Sequence, residues 1–318
     1  MKLLITGAAG FVGAELIRQA LTAGHDVVAL VRSRAAAVRL DVVHPQLAIV
    51  EADLRAAEEV RSVLESHRPD AIAHLGWSGV ANHARFDRSQ ILDNLNASCQ
   101  LLESGVAAGI RKFVGVGSQG EYGRLDGRID ERHLPEPTTL YGATKAATMF
   151  LTRQLAAQAN IEFAWLRLFS TYGPDDNQGW LIPSLTRDML AGRRPKTTHG
   201  TQRWDYLFVA DAARGILAAA VTPGATGIFN LGSGEAVTVR SVIEAVRDFA
   251  APNMELIFGE IPFRPDQVWH MEADNTRLKE ATGWSPKVNM RDGIAETVAW
   301  YRDKLARETV QSERSSDG

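Results

Sequence analysis

A chain of 318 residues, 45% hydrophobic and 23% charged, is long enough to bury a large core in one or two globular units. Its formal net charge of −3 gives no electrostatic case for nucleic acid or an acidic membrane surface as a partner. The one cysteine, Cys99, excludes an internal disulfide and fits a reducing compartment; in a helical stretch it reads as a small buried hydrophobe.

Residues 3–6 read as a short buried strand and residues 11–22 carry helical periodicity. Lys2 followed by Leu3-Leu4-Ile5 imitates a secretory leader. Glu15 and Arg18 interrupt the apolar stretch, so the expectation is mature, cytoplasmic protein. No uninterrupted apolar run reaches the roughly 18 residues of a membrane span. Apolar runs at 27–31, 47–50, 71–75 and 113–116 read as further strands, with helices near 55–66 and 89–108. This alternation with buried strands predicts an α/β fold: a Rossmann-type, doubly wound parallel sheet. After Tyr172-Gly173-Pro174 the pattern loosens into a smaller α+β region, while strands at 163–169 and 227–231 return to the sheet. The expected division is residues 1–173 with 206–234 as one domain, and 174–205 with 235–306 as a smaller substrate domain. Residues 307–318 are polar and Ser-rich and are expected to form a disordered tail.

Gly7-Ala8-Ala9-Gly10-Phe11-Val12-Gly13 follows a strand and opens a helix. Glycines in that context allow a tight turn and bring backbone N–H groups to a pyrophosphate, which favours a dinucleotide. An acid at the end of the second strand would bind a ribose 2′-hydroxyl, whereas an arginine accommodates a 2′-phosphate. The strand here runs into Arg32-Ser33-Arg34 without an acid, so NADP(H) is favoured and NAD(H) stays open. The competing reading of both arginines is a solvated surface. Asp53, after the third strand, is a candidate for the adenine amino group or, equally, a helix N-cap.

Tyr141 and Lys145 stand at i and i+4, one face of a helix. An ammonium beside the phenol would lower the pKa of Tyr141 and make it a usable acid or base. Ser118 ends the fifth strand, and ligands of open parallel sheets bind beyond the carboxyl ends of the strands. Its hydroxyl could hydrogen-bond the reacting oxygen, or only shape a turn. No metal-ligand set is expected.

Gly7, Gly10, Gly13, Asn94, Ser118, Tyr141 and Lys145, in this order, resemble the extended short-chain dehydrogenase/reductase family, nucleotide-sugar branch. The likeness extends through His74-Leu75-Gly76, the 167–174 segment Arg-Leu-Phe-Ser-Thr-Tyr-Gly-Pro, Phe229-Asn230-Leu231-Gly232 and Gly283-Trp284-Ser285-Pro286. It implies Tyr141 as acid/base, Lys145 on the nicotinamide ribose, Ser118 orienting the reacting oxygen and Asn94 supporting the site. It further implies cofactor contacts at Ala9, Phe11, Val12, Leu54, Leu75, Gly76 and Leu168. Substrate contacts would fall on Trp77, Ser170, Arg203 and Arg264, with Arg264 on a sugar-nucleotide diphosphate. The alternative for Arg264 is a surface salt bridge with Asp266.

Three departures from the family pattern stand out. Gln119-Gly120 replace the Asp-Glu pair of the 4,6-dehydratases. Ser170 replaces an asparagine. Trp204-Asp205 replace an Arg-Asp pair, with Arg203 one residue early. The first expectation is therefore NADPH-dependent reduction of a nucleotide-linked 4-keto-6-deoxy sugar without dehydration. Its alternative is a nucleotide-sugar 4-epimerase with retained NAD, and a non-catalytic dinucleotide sensor ranks third. If residues 118–121 are extended, Glu121 points away from Ser118. The family resemblance implies a homodimer.

Overall fold

The computed structural model describes residues 1–35, 37–40 and 43–316. The first half runs β1 (Lys2–Thr6), α1 (Phe11–Thr22), β2 (Asp26–Val31), β3 (Leu47–Glu51), α2 (Ala57–His67), β4 (Ala71–His74), α3 (Asn96–Ala107) and β5 (Lys112–Ser118). Then come β6 (Gly127–Ile129), α4 (Leu140–Gln158), β7 (Glu162–Leu168), β8 (Ser170–Tyr172), α5 (Leu181–Leu190), β9 (Arg203–Phe208), α6 (Val209–Val221) and β10 (Gly227–Leu231). The chain ends with β11 (Ala236–Thr238), α7 (Val239–Ala250), β12 (His270–Ala273), α8 (Thr276–Thr282) and α9 (Met290–Ser316).

Seven strands form one parallel sheet in the order β10-β7-β5-β4-β1-β2-β3. This is the Rossmann-type, doubly wound arrangement. Its strands are apolar on both faces because helices cover both: β4 is buried at every position, and β1 at all but its first. Leu16 and Ile17 of α1 and Ile216 of α6 fill one side. Leu64 of α2, Leu101 of α3 and Met149 of α4 fill the other. Truncating a residue such as Ile5, which is 0% exposed, would cost about 2–5 kcal/mol. The sheet order reverses direction between β1 and β4, and a crevice opens there beyond the strand ends.

The second sheet has the order β11-β9-β12-β6, with β8 pairing β9. It packs with α5, α7 and α9 around Tyr172, Phe208, Val242 and Val298. Both β6 and all of β9 belong to it, although the sequence reading placed residues 127–129 and 206–208 with the first unit. Buried Asp205 ties the Gly232-Ser233-Gly234 turn between the sheets, accepting from Ser233 N (2.7 Å), Gly234 N (2.9 Å) and Ala273 N (3.1 Å). The expected disordered tail instead continues α9 as far as Ser316, since residues 307–316 hold no helix-breaking Gly or Pro. Residues 317–318 lie outside the described residues. Cys99 is half-buried, more exposed than its helical position suggested.

Candidate active site

At the carboxyl end of β1 the chain turns so tightly that side chains are excluded. Gly7 has φ +67°, and a Cβ there would meet the Leu75 backbone carbon at 2.7 Å. A Cβ on Gly13 would collide with the Gly7 carbonyl. No side chain caps α1, so the amides of its first turn, at Phe11, Val12 and Gly13, line the cavity without a capping acceptor. This cradle fits the pyrophosphate of a dinucleotide, with the positive end of the helix dipole behind it. Ala9, Leu75, Gly76 and Leu168 line the same cavity.

Toward the adenosine end the wall is Arg32, Asp53 and Leu54. Arg34 is drawn away: its backbone N donates to Glu51 (2.5 Å) and its guanidinium to the Ile49 carbonyl. Hydrogen bonds from the Arg55 side chain, then from its backbone, pull the Asp53 carboxyl down to about 2. Asp53 thus forms a local turn with Arg55, and the residue capping α2 is Ala56.

Buried His74 closes the floor. Its Nδ1 lies 2.8 Å from Thr6 Oγ1 and its Nε2 2.9 Å from Ser98 Oγ. Ser98 donates onward to the Asn94 carbonyl (2.7 Å), which makes Nε2 the ring donor. Burial, then the Lys145 charge, lowers its pKa to about 3, so the ring is neutral. Asn94 sits in a π turn, Ile91–Leu95. Its carboxamide accepts from Ser78 N (2.8 Å) and donates to Ser78 O (3.2 Å), clamping the loop that carries Trp77.

Thr139 caps α4 by accepting from Gly142 N (3.0 Å), which places Tyr141 and Lys145 on the first turns facing β5. Tyr141 is buried, and its ring and the Ser118 hydroxyl both flank Gly120 and line the cavity. Burial raises the pKa of the phenol; the neighbouring Ser118 side chain and the Arg85 charge oppose that rise. The expected ammonium beside the phenol is therefore corrected. Lys145 Nζ donates to the Val116 carbonyl at 2.6 Å and lies 3.7 Å from the centre of the Trp77 ring. Burial lowers its pKa to about 7. The cation over the Tyr141 ring is Arg85, 5.0 Å from its centroid.

Residues 119–121 form a 3₁₀ turn, which overturns the extended reading. Glu121 turns back toward Ser118, is 0% exposed and accepts from its backbone N at 2.9 Å. Trp165 Nε1 and Arg167 Nε, each at 2.9 Å, complete its shell. A Cβ on Gly117 would collide with this carboxylate and the Trp165 indole, so only glycine fits there.

At the substrate end, Gln119 Nε2 donates to Ser170 Oγ (3.2 Å), so the two departures from the family pattern touch each other. Both line the cavity, as do Trp77, Trp204 and Arg264. The alternative partner for Arg264 is engaged elsewhere, since Asp266 pairs with Arg124 (3.5 Å). Arg203 is not brought to the site. Side chains alternate along β9, so Trp204 takes the cavity face, and the exposed Arg203 donates to the Ala236 carbonyl (2.5 Å). The cavity measures about 1320 Å³, more than the ~300–1,000 Å³ of an ordinary single-ligand site. It has room for a dinucleotide and a second ligand end to end.

The NAD dependent epimerase/dehydratase family model matches residues 3–232. The chain belongs to this family. It is 28% identical to the UDP-glucose 4-epimerase of Mycolicibacterium smegmatis over 96% of this chain and 99% of that protein. The UDP-glucose 4-epimerase of Thermotoga maritima, solved with UDP-glucose, superposes with a TM-score of 0.84 at 26% identity, covering 96% and 100% of the two chains. The Thermus thermophilus UDP-glucose 4-epimerase, solved with NAD, gives 0.83 at 26%, covering 95% and 99%.

The sequence carries no signal for one residue of this site, Arg85, and misdirects a second, Glu121. Arg85 lies in no motif, and only the folding of the 78–90 loop over α4 brings it to Tyr141, whose N donates to its carbonyl (2.9 Å). Glu121 was visible, but its direction depended on a turn that residue alternation could not reveal. Among the described residues no metal-ligand cluster occurs, and no helix is long and apolar enough to cross a membrane.

Proposed function

We propose that the protein interconverts 4-epimers of a nucleotide-diphosphate sugar, with NAD retained at the glycine turn. One observation carries the reading: Ser118 and Tyr141 line the same cavity as the uncapped start of α1. A bound nicotinamide would supply a reversible hydride acceptor. Tyr141 takes the proton from the C4 hydroxyl and returns it to the keto oxygen, while Ser118 holds that oxygen in place. Lys145, which lines the same cavity, would hold the nicotinamide ribose. Arg264 and Lys196 line the outer cavity and suit the diphosphate. Arg203, pointing elsewhere, is not part of this reading.

The residues that follow Ser118 do not supply the acid and base of a dehydration. Gln119 and Gly120 cannot exchange protons at neutral pH, and Glu121 is closed off by its three donors. The test is to incubate the NAD-loaded protein with UDP-glucose or UDP-galactose and follow the anomeric protons by NMR. Interconversion without net cofactor change is expected.

A second reading, reduction of a 4-keto-6-deoxy sugar by NADPH, is favoured by one specific feature. Arg32 lines the cavity at the end of β2, and residues 27–34 carry no carboxylate. Stoichiometric NADPH oxidation on a keto sugar would select it. Ile91, Leu92, Phe150 and Leu151 are each at least 43% exposed on the π turn and α4. They support a homodimer through this face, testable by light scattering. A single cysteine suits a reducing cytoplasm.

A further inference from the structure

We infer that Glu121 is a positioning residue for the reaction: its buried carboxylate, anchored by Arg167 and Trp165, holds Ser118 in register with Tyr141. The inference rests on the proposed role of Ser118.

The geometry is specific. Glu121 Oε1 accepts from Ser118 N and from Trp165 Nε1, each at 2.9 Å. Oε2 accepts from Arg167 Nε at 2.9 Å. Ser118 Oγ in turn accepts from Gly120 N at 3.1 Å, so carboxylate and hydroxyl form a reciprocal capping box at the start of one 3₁₀ turn. Arg167, 1% exposed, lies 4.4 Å above the ring of Tyr122. The Tyr122 hydroxyl donates to Asn230 Oδ1 (2.7 Å), and Asn230 Nδ2 donates to the Ile129 carbonyl on β6 (2.8 Å). The catalytic serine is thus fixed through a buried polar chain to both sheets.

Stability alone is a poor reason for such a pair. Burying two charges costs about as much as their attraction returns, and apolar replacements are often neutral or stabilising. Arg167 even leaves Nη1 buried without a partner. What an apolar pair cannot supply is the acceptor for Ser118 N. A reacting group displaced by about 1 Å can lose roughly a hundredfold in rate, and rigid supporting contacts prevent that.

Two double variants separate the roles. E121M/R167M fills the space but removes the acceptor; E121Q/R167M restores a carboxamide oxygen for Ser118 N without the charges. In E121M/R167M, kcat should fall about a hundredfold with KM moving less than about threefold, and E121Q/R167M should recover at least about tenfold of that loss. Equal losses in both variants, or a loss carried by KM, overturn the proposal. Crystal structures of the same variants do not depend on the substrate being right. Ser118 Oγ should be displaced by about 1 Å in E121M/R167M and return in E121Q/R167M. If wild type turns over no nucleotide sugar, the functional reading fails, and an unmoved Ser118 in E121M/R167M then overturns the positioning proposal separately. Should E121M/R167M not fold, Trp165→Phe replaces it by removing one anchor from Oε1. A lowered kcat at constant KM then supports the proposal, and an unchanged kcat overturns it.

Discussion

The guanidinium of Arg85 lies 5.0 Å from the ring centroid of Tyr141 and 5.5 Å from that of Trp180, while its backbone carbonyl accepts from Tyr141 N. Its charge acts on the phenol. Arg85 opposes the upward push of burial on Tyr141. Arg85→Gln should therefore move the limb of the kcat/KM–pH profile that reports Tyr141 to higher pH, whereas Arg85→Lys should keep most of it in place. A profile unchanged by Arg85→Gln would assign the tuning elsewhere.

Tyr141→Phe should lower turnover at least about a hundredfold while cofactor affinity stays close to wild type, because positioned proton transfer is worth about 10² to 10⁴-fold. Lys145→Ala should differ by weakening the cofactor as well. A Phe variant keeping a tenth of the wild-type rate would contradict the acid/base role.

These two predictions also mark where the sequence was legible. The glycine turn, the parallel sheet and the Ser118, Tyr141 and Lys145 positions were readable because each follows from local periodicity or from family spacing. The partners of Tyr141 and Lys145 were not. Spacing puts Lys145 on the face of Tyr141, but the Val116 carbonyl and the Trp77 ring capture its ammonium. Arg203 failed for a related reason: strand alternation gave the cavity face to its neighbour Trp204.

Arg32→Asp should shift cofactor preference toward NAD(H), since the new carboxylate can accept from a ribose 2′-hydroxyl and repels a 2′-phosphate. Fluorescence titration of the wild type and the variant with both cofactors checks it. An unchanged ratio would leave Arg32 as a solvated surface residue.

Asp176 offers a stability test. It is 5% exposed, its Oδ2 has no partner, and burial raises its pKa from 3.8 to about 7. A carboxyl with a raised folded-state pKa contributes stability in full below its unfolded value and loses it as pH climbs through the folded value. Asp176→Asn should therefore gain on wild type progressively between pH 3.8 and about 7 in chemical denaturation, with the difference level above that range. A difference independent of pH would show that the carboxyl is not held in its neutral form.

The most direct test of the account is an NMR time course of NAD-loaded protein with UDP-glucose, run beside Tyr141→Phe. Conversion to the 4-epimer by the wild type is expected, with no net NADH and a rate at least about a hundredfold lower in the variant. Formation of a 4-keto-6-deoxy sugar would contradict it, because neither Gln119 nor the enclosed Glu121 can support loss of water.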